Sequence, residues 1–227
     1  MKTKLSILFV CAFSLNVFAQ SLETIKTYHD WSHTQLKEVY TVIKNTPTKH
    51  GKYKLWSQSS ILVQEATYSN GKLNGITKRY SVFGKLLQLT NYRNDKKHGL
   101  EKNYTFDSNG GGSGDPKKYL GWERYYENDI MVREIEYYES GKKMGDCHPL
   151  NGSCIEWYEN GLVKFEFFYK NKKLNGKQTE WNEKGQILLK GAWINGENDG
   201  TWYSYDDNGK LLDKCSFKNG KIGRAHV

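Results

Sequence analysis

Residues 176–200 run Gly176-Lys-Gln-Thr-Glu-Trp181-Asn-Glu-Lys-Gly185-Gln-Ile-Leu-Leu-Lys-Gly-Ala-Trp193-Ile-Asn195-Gly196-Glu-Asn-Asp199-Gly200. A short polar run ends on Trp181, Glu183-Lys-Gly185 reads as a turn, Gln186 to Trp193 is a second extended run, and Asn195-Gly196 through Asp199-Gly200 reads as another turn. Asn-Gly and Asp-Gly tolerate the positive φ that tight hairpin turns demand, and here they bound runs of strand length. One unit of about twenty-four residues is therefore one β-hairpin plus its link to the next.

The same spacing extends through the chain. Aromatic residues recur in pairs twelve apart, as Tyr28/Tyr40, Trp56/Tyr68, Tyr80/Tyr92, Tyr126/Tyr138, Trp157/Tyr169, Trp181/Trp193 and Tyr205/Phe217. Turn signals recur with them at Asn70-Gly71, Asn74-Gly75, Asn171-Lys172, Asn175-Gly176 and Asn219-Gly220, and alternately at Gly84, Asn160-Gly161, Gly185 and Asn208-Gly209. Six residues before the second aromatic of every pair but the first stands an aliphatic: Leu62, Leu86, Val132, Val163, Ile187 or Leu211. Six is even, so ring and aliphatic share a face of an extended strand. Equivalent residues of successive hairpins then stand about 10 Å apart, and the ring of the intervening strand is expected to fill that gap. The expected fold is all-β: an elongated single-layer antiparallel meander of tandem hairpins stabilised by contacts between neighbours. The chain holds only three prolines among 227 residues, which suits a sheet, because Pro removes a ladder donor.

The first nineteen residues stand outside the pattern. Lys2 and Lys4 precede an apolar stretch from Leu5 to Val17, and Val17-Phe18-Ala19 before Gln20 suits signal peptidase. They read as a cleaved export signal, which places the mature chain in the periplasm or outside the cell. Cys11 is preceded by bulky Val10, which disfavours a lipoprotein. No later segment reaches the roughly 18 apolar residues that span a bilayer. The formal charge of +9 falls by two on cleavage, and the remaining lysines alternate with Glu and Asp instead of forming a block. Such a surface speaks against nucleic acid and suits protected strand edges. At the other end Ile222-Gly-Arg-Ala-His-Val227 breaks the period and reads as a non-native, adapter-derived tail, so that residues 20–221 form the repeat array.

Two interruptions mark the array. The period breaks through a Gly/Ser/Asp-rich insertion at about 105–121, a segment type that forms a flexible excursion from one edge. Off-register Trp31, Tyr119 and Trp122 are the candidate contact residues. The second interruption lengthens a turn between Cys147 and Cys154, which in an oxidising compartment close a loop as a disulfide. A metal site from Cys147, His148 and Cys154 has three ligands and no standard zinc spacing. Cys215 is left as a small buried residue or one whose partner lies elsewhere. Glycoside hydrolysis needs two carboxylates about 5 to 9.5 Å apart, yet Glu134, Glu136, Glu156 and Glu180 occupy slots filled elsewhere by ordinary polar residues. His29 and His33 share a strand face but lack further ligands. No catalytic residue, cofactor site or metal site is assigned.

Tyr68-Ser-Asn-Gly-Lys-Leu-Asn-Gly75, Tyr92-Arg-Asn-Asp-Lys-Lys-His-Gly99, Tyr138-Glu-Ser-Gly-Lys-Lys-Met-Gly145 and Tyr169-Lys-Asn-Lys-Lys-Leu-Asn-Gly176 resemble the variant MORN repeat of bacterial proteins labelled YwqK-type antitoxins. The resemblance runs from about Tyr28 to Gly220. It implies a single-layer sheet of successive hairpins and an interaction role, and the antitoxin label implies neutralisation of a toxin partner. The expected function is an exported scaffold for protein or cell-envelope interaction, without catalysis. The alternatives are a carbohydrate-binding surface protein and an antitoxin or immunity-like protein. The expected partner is an unidentified protein or a cell-surface polymer, bound by a monomer with no nucleic acid and no transmembrane segment.

Overall fold

The computed structural model describes residues 21–106 and 118–223. The export segment, most of the Gly-rich insertion and Arg224 to Val227 of the tail lie outside the described residues. Among the described residues nineteen strands form one sheet: β1 (Leu22–Tyr28), β2 (Leu36–Ile43), β3 (Lys49–Trp56), β4 (Leu62–Ser69), β5 (Lys72–Leu73), β6 (Gly75–Tyr80), β7 (Leu86–Arg93), β8 (Lys96–Phe106), β9 (Lys118–Glu127), β10 (Ile130–Tyr137), β11 (Lys143–Cys147), β12 (Gly152–Trp157), β13 (Val163–Lys170), β14 (Lys173–Leu174), β15 (Gly176–Trp181), β16 (Ile187–Ile194), β17 (Glu197–Tyr205), β18 (Leu211–Lys218) and β19 (Lys221–Ile222). Leaving aside β5 and β14, each pairs antiparallel with the next along the chain. The two-residue β5 and β14 are first steps of β6 and β15, which pair with the same partners β4 and β13. The expected hairpin meander is therefore the observed fold.

Two turn types alternate along the two long edges. On one edge the central residues both take positive φ: Asn70 and Gly71, Asn94 and Asp95, Asn128 and Asp129, Asn171 and Lys172, Asn195 and Gly196, Asn219 and Gly220. These are two-residue type I′ turns, whose twist matches that of the flanking strands. On the other edge Gly84, Gly161, Gly185 and Gly209 are left-handed at the end of a four-residue turn, where their N–H groups donate to the carbonyls of Ser81, Tyr158, Asn182 and Asp206. β8 and β9, which flank residues 107–117, meet at this edge.

Asn74-Gly75 and Asn175-Gly176, expected as turns, are not turns. Phe167 and Phe168 face the four residues Asn175 to Gln178 between the pairs Tyr169↔Leu174 and Glu166↔Thr179, so the second dipeptide forms a wide bulge. The bulge glycine stands opposite the second aromatic of its hairpin, as in Gly51↔Tyr68, Gly75↔Tyr92, Gly152↔Tyr169 and Gly176↔Trp193.

The ring ladder also differs from expectation. Leu86, Thr90 and Tyr92 share one face of β7, here called inner, but Tyr80 lies on the other: its hydroxyl donates to Glu65 at 2.6 Å, and Glu65 pairs in register with Lys54 and Lys78. Twelve is even, yet the turn between the two rings carries a register shift at Arg79/Tyr80, and that shift reverses parity. Tyr126 and Tyr138 are likewise not one pair. Tyr126 is the second ring of the hairpin that carries the insertion, opposite Gly99, whereas Tyr138 lies in the next turn and donates to the Trp157 carbonyl at 2.7 Å.

Candidate binding surface

A single layer has little interior, so the placement of its few buried side chains is informative. All but Glu123 and Ile135 lie in two lines on the inner face: Tyr53, Thr77, Glu101, Cys154 and Gln178 on the first strands of the hairpins, and Val42, Ala66 and Thr90 on the second strands. Register joins the lines crosswise, as in Tyr53↔Ala66, Thr77↔Thr90, Thr90↔Glu101 and Cys154↔Phe167. The first line repeats every twenty-four residues within each half of the chain, and Trp202 completes it. Two residues further along the same strands, alternation returns to the inner face at a second, more open row: Leu55, Arg79, Asn103, Glu156, Glu180 and Ser204. Arg79 and Glu156 are exposed.

In the middle of the buried line the chemistry is ionic. Glu101 is 1% exposed; its Oε1 accepts from Lys97 Nζ at 2.7 Å and from Gln88 Nε2 and Thr90 Oγ1 at 3.0 Å each. Its Oε2 is buried without a hydrogen-bond partner. Next along the rung, Arg124 pairs with Glu134 at 2.6 Å and lies over the Trp122 ring at 4.1 Å. Beyond it a hollow of about 200 Å³ is lined by Glu134, Glu136, Gly145, Glu156 and the Cys147–Cys154 pair. Burial, then the like charges of Glu134 and Glu156, holds the Glu136 carboxyl above the usual carboxylate range. The outer face is buried chiefly behind this region, at Glu123 and Ile135. There Arg133 grips Asp146 through two bonds of 2.8 and 2.6 Å. Burial alone would raise the Asp146 carboxyl, but Arg133 and then Lys143 override it and hold the group down at about 2.

Toward the C-terminus the line becomes aromatic. Trp202 covers Gly191 so closely that a Cβ there would collide with the indole. Trp193 and Phe217 stand edge to face against Trp202, at centroid distances of 5.4 and 6.4 Å. Trp193 Nε1 donates to Gln178 at 2.6 Å, while Trp202 Nε1 and Asn198 Oδ1 are buried with no partner.

Residues 150–171 and 198–219, two hairpins lying in the same phase two periods apart, each match the family model described as MORN repeat variant. These two units are MORN repeat variants. No curated protein matches the chain. Among solved structures, a chain of the "Crystal Structure of TcdB2-TccC3-Cdc42" is similar over 87% of this chain and 12% of its own length, with 12% identity and a TM-score of 0.20. Each MORN variant unit opens four residues before a buried-line position, Cys154 or Trp202, and closes within the next type I′ turn.

Outside these two MORN variants lie the residues singled out from sequence as contacts. Trp31, 93% exposed, sits in the turn after β1, where Asp30 caps Ser32, Thr34 and Gln35. Hydrogen bonds from those three residues hold the Asp30 carboxyl well below the usual range. Tyr119 pairs with Thr105 at the base of the insertion, and Trp122 pairs with Asn103 and Glu136 in the open row. Trp31 is thus remote from Trp122, and the fold does not bring them together. Cys147 and Cys154 are register partners and are joined as a disulfide, and Cys215 is a free thiol opposite Trp202. His29 binds the Trp56 carbonyl at 3.0 Å, and His33 stands edge to face against Tyr28. Among the described residues no group of three or more His, Cys, Asp or Glu side chains is placed to hold a metal ion, and no helix is long and apolar enough to cross a membrane. A scan for aromatics passes over Glu101 and the wider buried line, because the line keeps its spacing and changes its residue type; tracing the period itself from Tyr53 would have found it.

Proposed function

We propose that the chain is an exported, non-catalytic repeat scaffold that holds another macromolecule, a protein or a cell-envelope polymer, against the inner face of its sheet. The observation that carries this reading is the contrast between a constant frame and a varying row. Turns, bulge glycines and second aromatics recur from unit to unit, whereas the open row changes through Leu55, Arg79, Asn103, Glu156, Glu180 and Ser204. A repeat array whose backbone is fixed and whose solvent-facing row differs at each rung presents an extended surface with its own address at each step. Trp122 stands within that row, and Trp31 supplies a contact at the turn edge; large aromatics in such places are the residue type that anchors interfaces.

The test is site-specific photocross-linking in the cell of origin. A photoreactive residue replacing Arg79 or Trp122 should link to one discrete envelope component, and the same residue replacing Lys52 or Thr67 on the outer face should not. Equal linking from both faces, or none from the inner one, overturns the scaffold reading. Mass spectrometry of the same material checks export, which requires a chain lacking residues 1–19 outside the cytoplasm.

A further inference from the structure

Around Trp202 the inner face carries more than packing requires. The indole lies flat over Gly191, which leaves its opposite face directed away from the sheet. Trp193 and Phe217 stand nearly perpendicular to it, at 87° and 76°, so floor and sides are aromatic. One hollow of about 190 Å³ borders this floor, and its rim carries Ser204 and Asp213, which are register partners. The hollow also contains Asn198, and Trp202 Nε1 and Asn198 Oδ1 are the buried donor and acceptor left open there. Each such orphan costs on the order of 1 to 3 kcal/mol. Single orphans also occur at Thr77, His98 and Glu101; here a donor and an acceptor border the same hollow, while the neighbouring Trp193 indole is satisfied.

A flat ring with a carboxylate, a hydroxyl and an unsatisfied donor and acceptor around it suits a ligand that is apolar on its faces and rich in hydroxyls at its rim. A tyrosine or arginine side chain offers a flat face with polar groups at one end only. A pyranose offers both, provided its hydroxyls are equatorial, because its axial C–H groups then form a flat face. We infer that the Trp202 hollow is a subsite for one sugar ring of a gluco-configured, β-linked glycan, with the ring on the indole and its hydroxyls toward Asp213 and Ser204. This inference rests on the scaffold reading and narrows it to a polymer of the cell envelope or its surroundings.

Titration of the whole mature chain with cellohexaose and chitohexaose, followed by tryptophan fluorescence and calorimetry, tests it. At least one should bind saturably, with a β-1,4-galactan oligosaccharide about tenfold weaker because its axial O4 linkage bends the chain and tilts each ring off the indole. Trp202→Ala and the exposed-rim variant Asp213→Ala should each weaken binding about tenfold or more, and Phe83→Ala, at an exposed turn aromatic outside the proposed surface, should leave it unchanged. Since Trp202→Ala could disturb the fold, Asp213→Ala with unchanged circular dichroism is the deciding variant. No saturable binding to either probe, or binding indifferent to Asp213→Ala and to Trp202→Ala, overturns the inference. If the probes fail while the inner row still cross-links to an envelope protein, the glycan is excluded and the scaffold stands; failure of both removes the scaffold as well.

Discussion

Glu101 and Trp202 occupy the same place in their hairpins, five residues beyond the strand position that follows a type I′ turn, yet one is sealed in an ionic network and the other floors an aromatic trough. The frame around them is alike. In both, an adjacent strand supplies a register partner, Arg124 or Cys215, and a bulge glycine, Gly99 or Gly200, precedes by two residues. The difference shows that the repeat specifies where a side chain goes and leaves open what it is, as long as its neighbours complement it. Glu101 needs Lys97, Thr90 and Gln88; Trp202 needs the missing side chain at Gly191.

The largest effect should come from breaking the ionic side. Glu101→Ala leaves Lys97 without its carboxylate and strips Thr90 and Gln88 of an acceptor, and about 3 kcal/mol of stability should be lost, less than for a fully sealed pair because Lys97 reaches water. A shift in the urea midpoint measures it, and a loss below about 1 kcal/mol would mean that the network is decorative. On the aromatic side Gly191→Ala should cost about 2 kcal/mol, since the added methyl must displace the indole. The same variant should shift tryptophan emission, whereas Glu101→Ala should leave emission from Trp202 unchanged. Cross-talk between the two would contradict stability built from nearest-neighbour contacts.

Between the two regions lies the disulfide. It closes a loop of sequence separation seven, and a loop of that size contributes about 2 kcal/mol on chain-entropy grounds. Reduction, or Cys147→Ser with Cys154→Ser, should lower the urea midpoint accordingly without moving the emission of Trp202. No change on reduction would show the pair to be open in solution.

The period was legible from the sequence because turn chemistry and aromatics are local, and the meander follows from them. The faces were not. Whether Tyr80 shares a side with Tyr92 depends on one extra residue absorbed by a bulge, and a shift of one residue sends a side chain through the sheet. Asn175-Gly176 reads like Asn195-Gly196, but only strand pairing separates a wide bulge from a turn. The candidate surface was legible in part: Trp122 belongs to the open row, but Arg79, Glu156 and Trp202 carry no signal apart from their register.

Acid should weaken the central region selectively. Asp146 titrates at about 2 in the fold and near 3.9 when unfolded, so its stabilisation is complete above about pH 5 and is lost as the pH falls toward 2. Because Arg133 is partly exposed, the contribution is about 1 kcal/mol and not the full value of the shift. Urea midpoints of the wild type and Asp146→Asn should differ by that amount at pH 6 and converge near pH 2. A gap that stays constant with pH would assign the effect to packing.

The smallest effect compares the turns themselves. Lys172 and Asp95 both hold positive φ, at 63° and 68°, where Gly196 and Gly220 stand in the aromatic region. Their backbone N–H groups do the same work, donating to the carbonyls of Leu150 and Leu73 at 2.9 Å each. Asp95 does more: its carboxylate accepts from the Leu73 N–H at 2.7 Å, while Lys172 has no such second bond among the described contacts. Lys172→Gly should therefore stabilise the protein by about 0.5 kcal/mol, since glycine relieves the left-handed backbone. Asp95→Gly gains the same relief and loses a charge-assisted bond, so it should be destabilising by about 0.5 to 1 kcal/mol. Opposite signs at two turns of like geometry would show that the Asp95 turn is tied by its side chain and the Lys172 turn, nearer the aromatic region, by backbone alone. Equal signs would place the difference between the two regions in the strands and not at their edges.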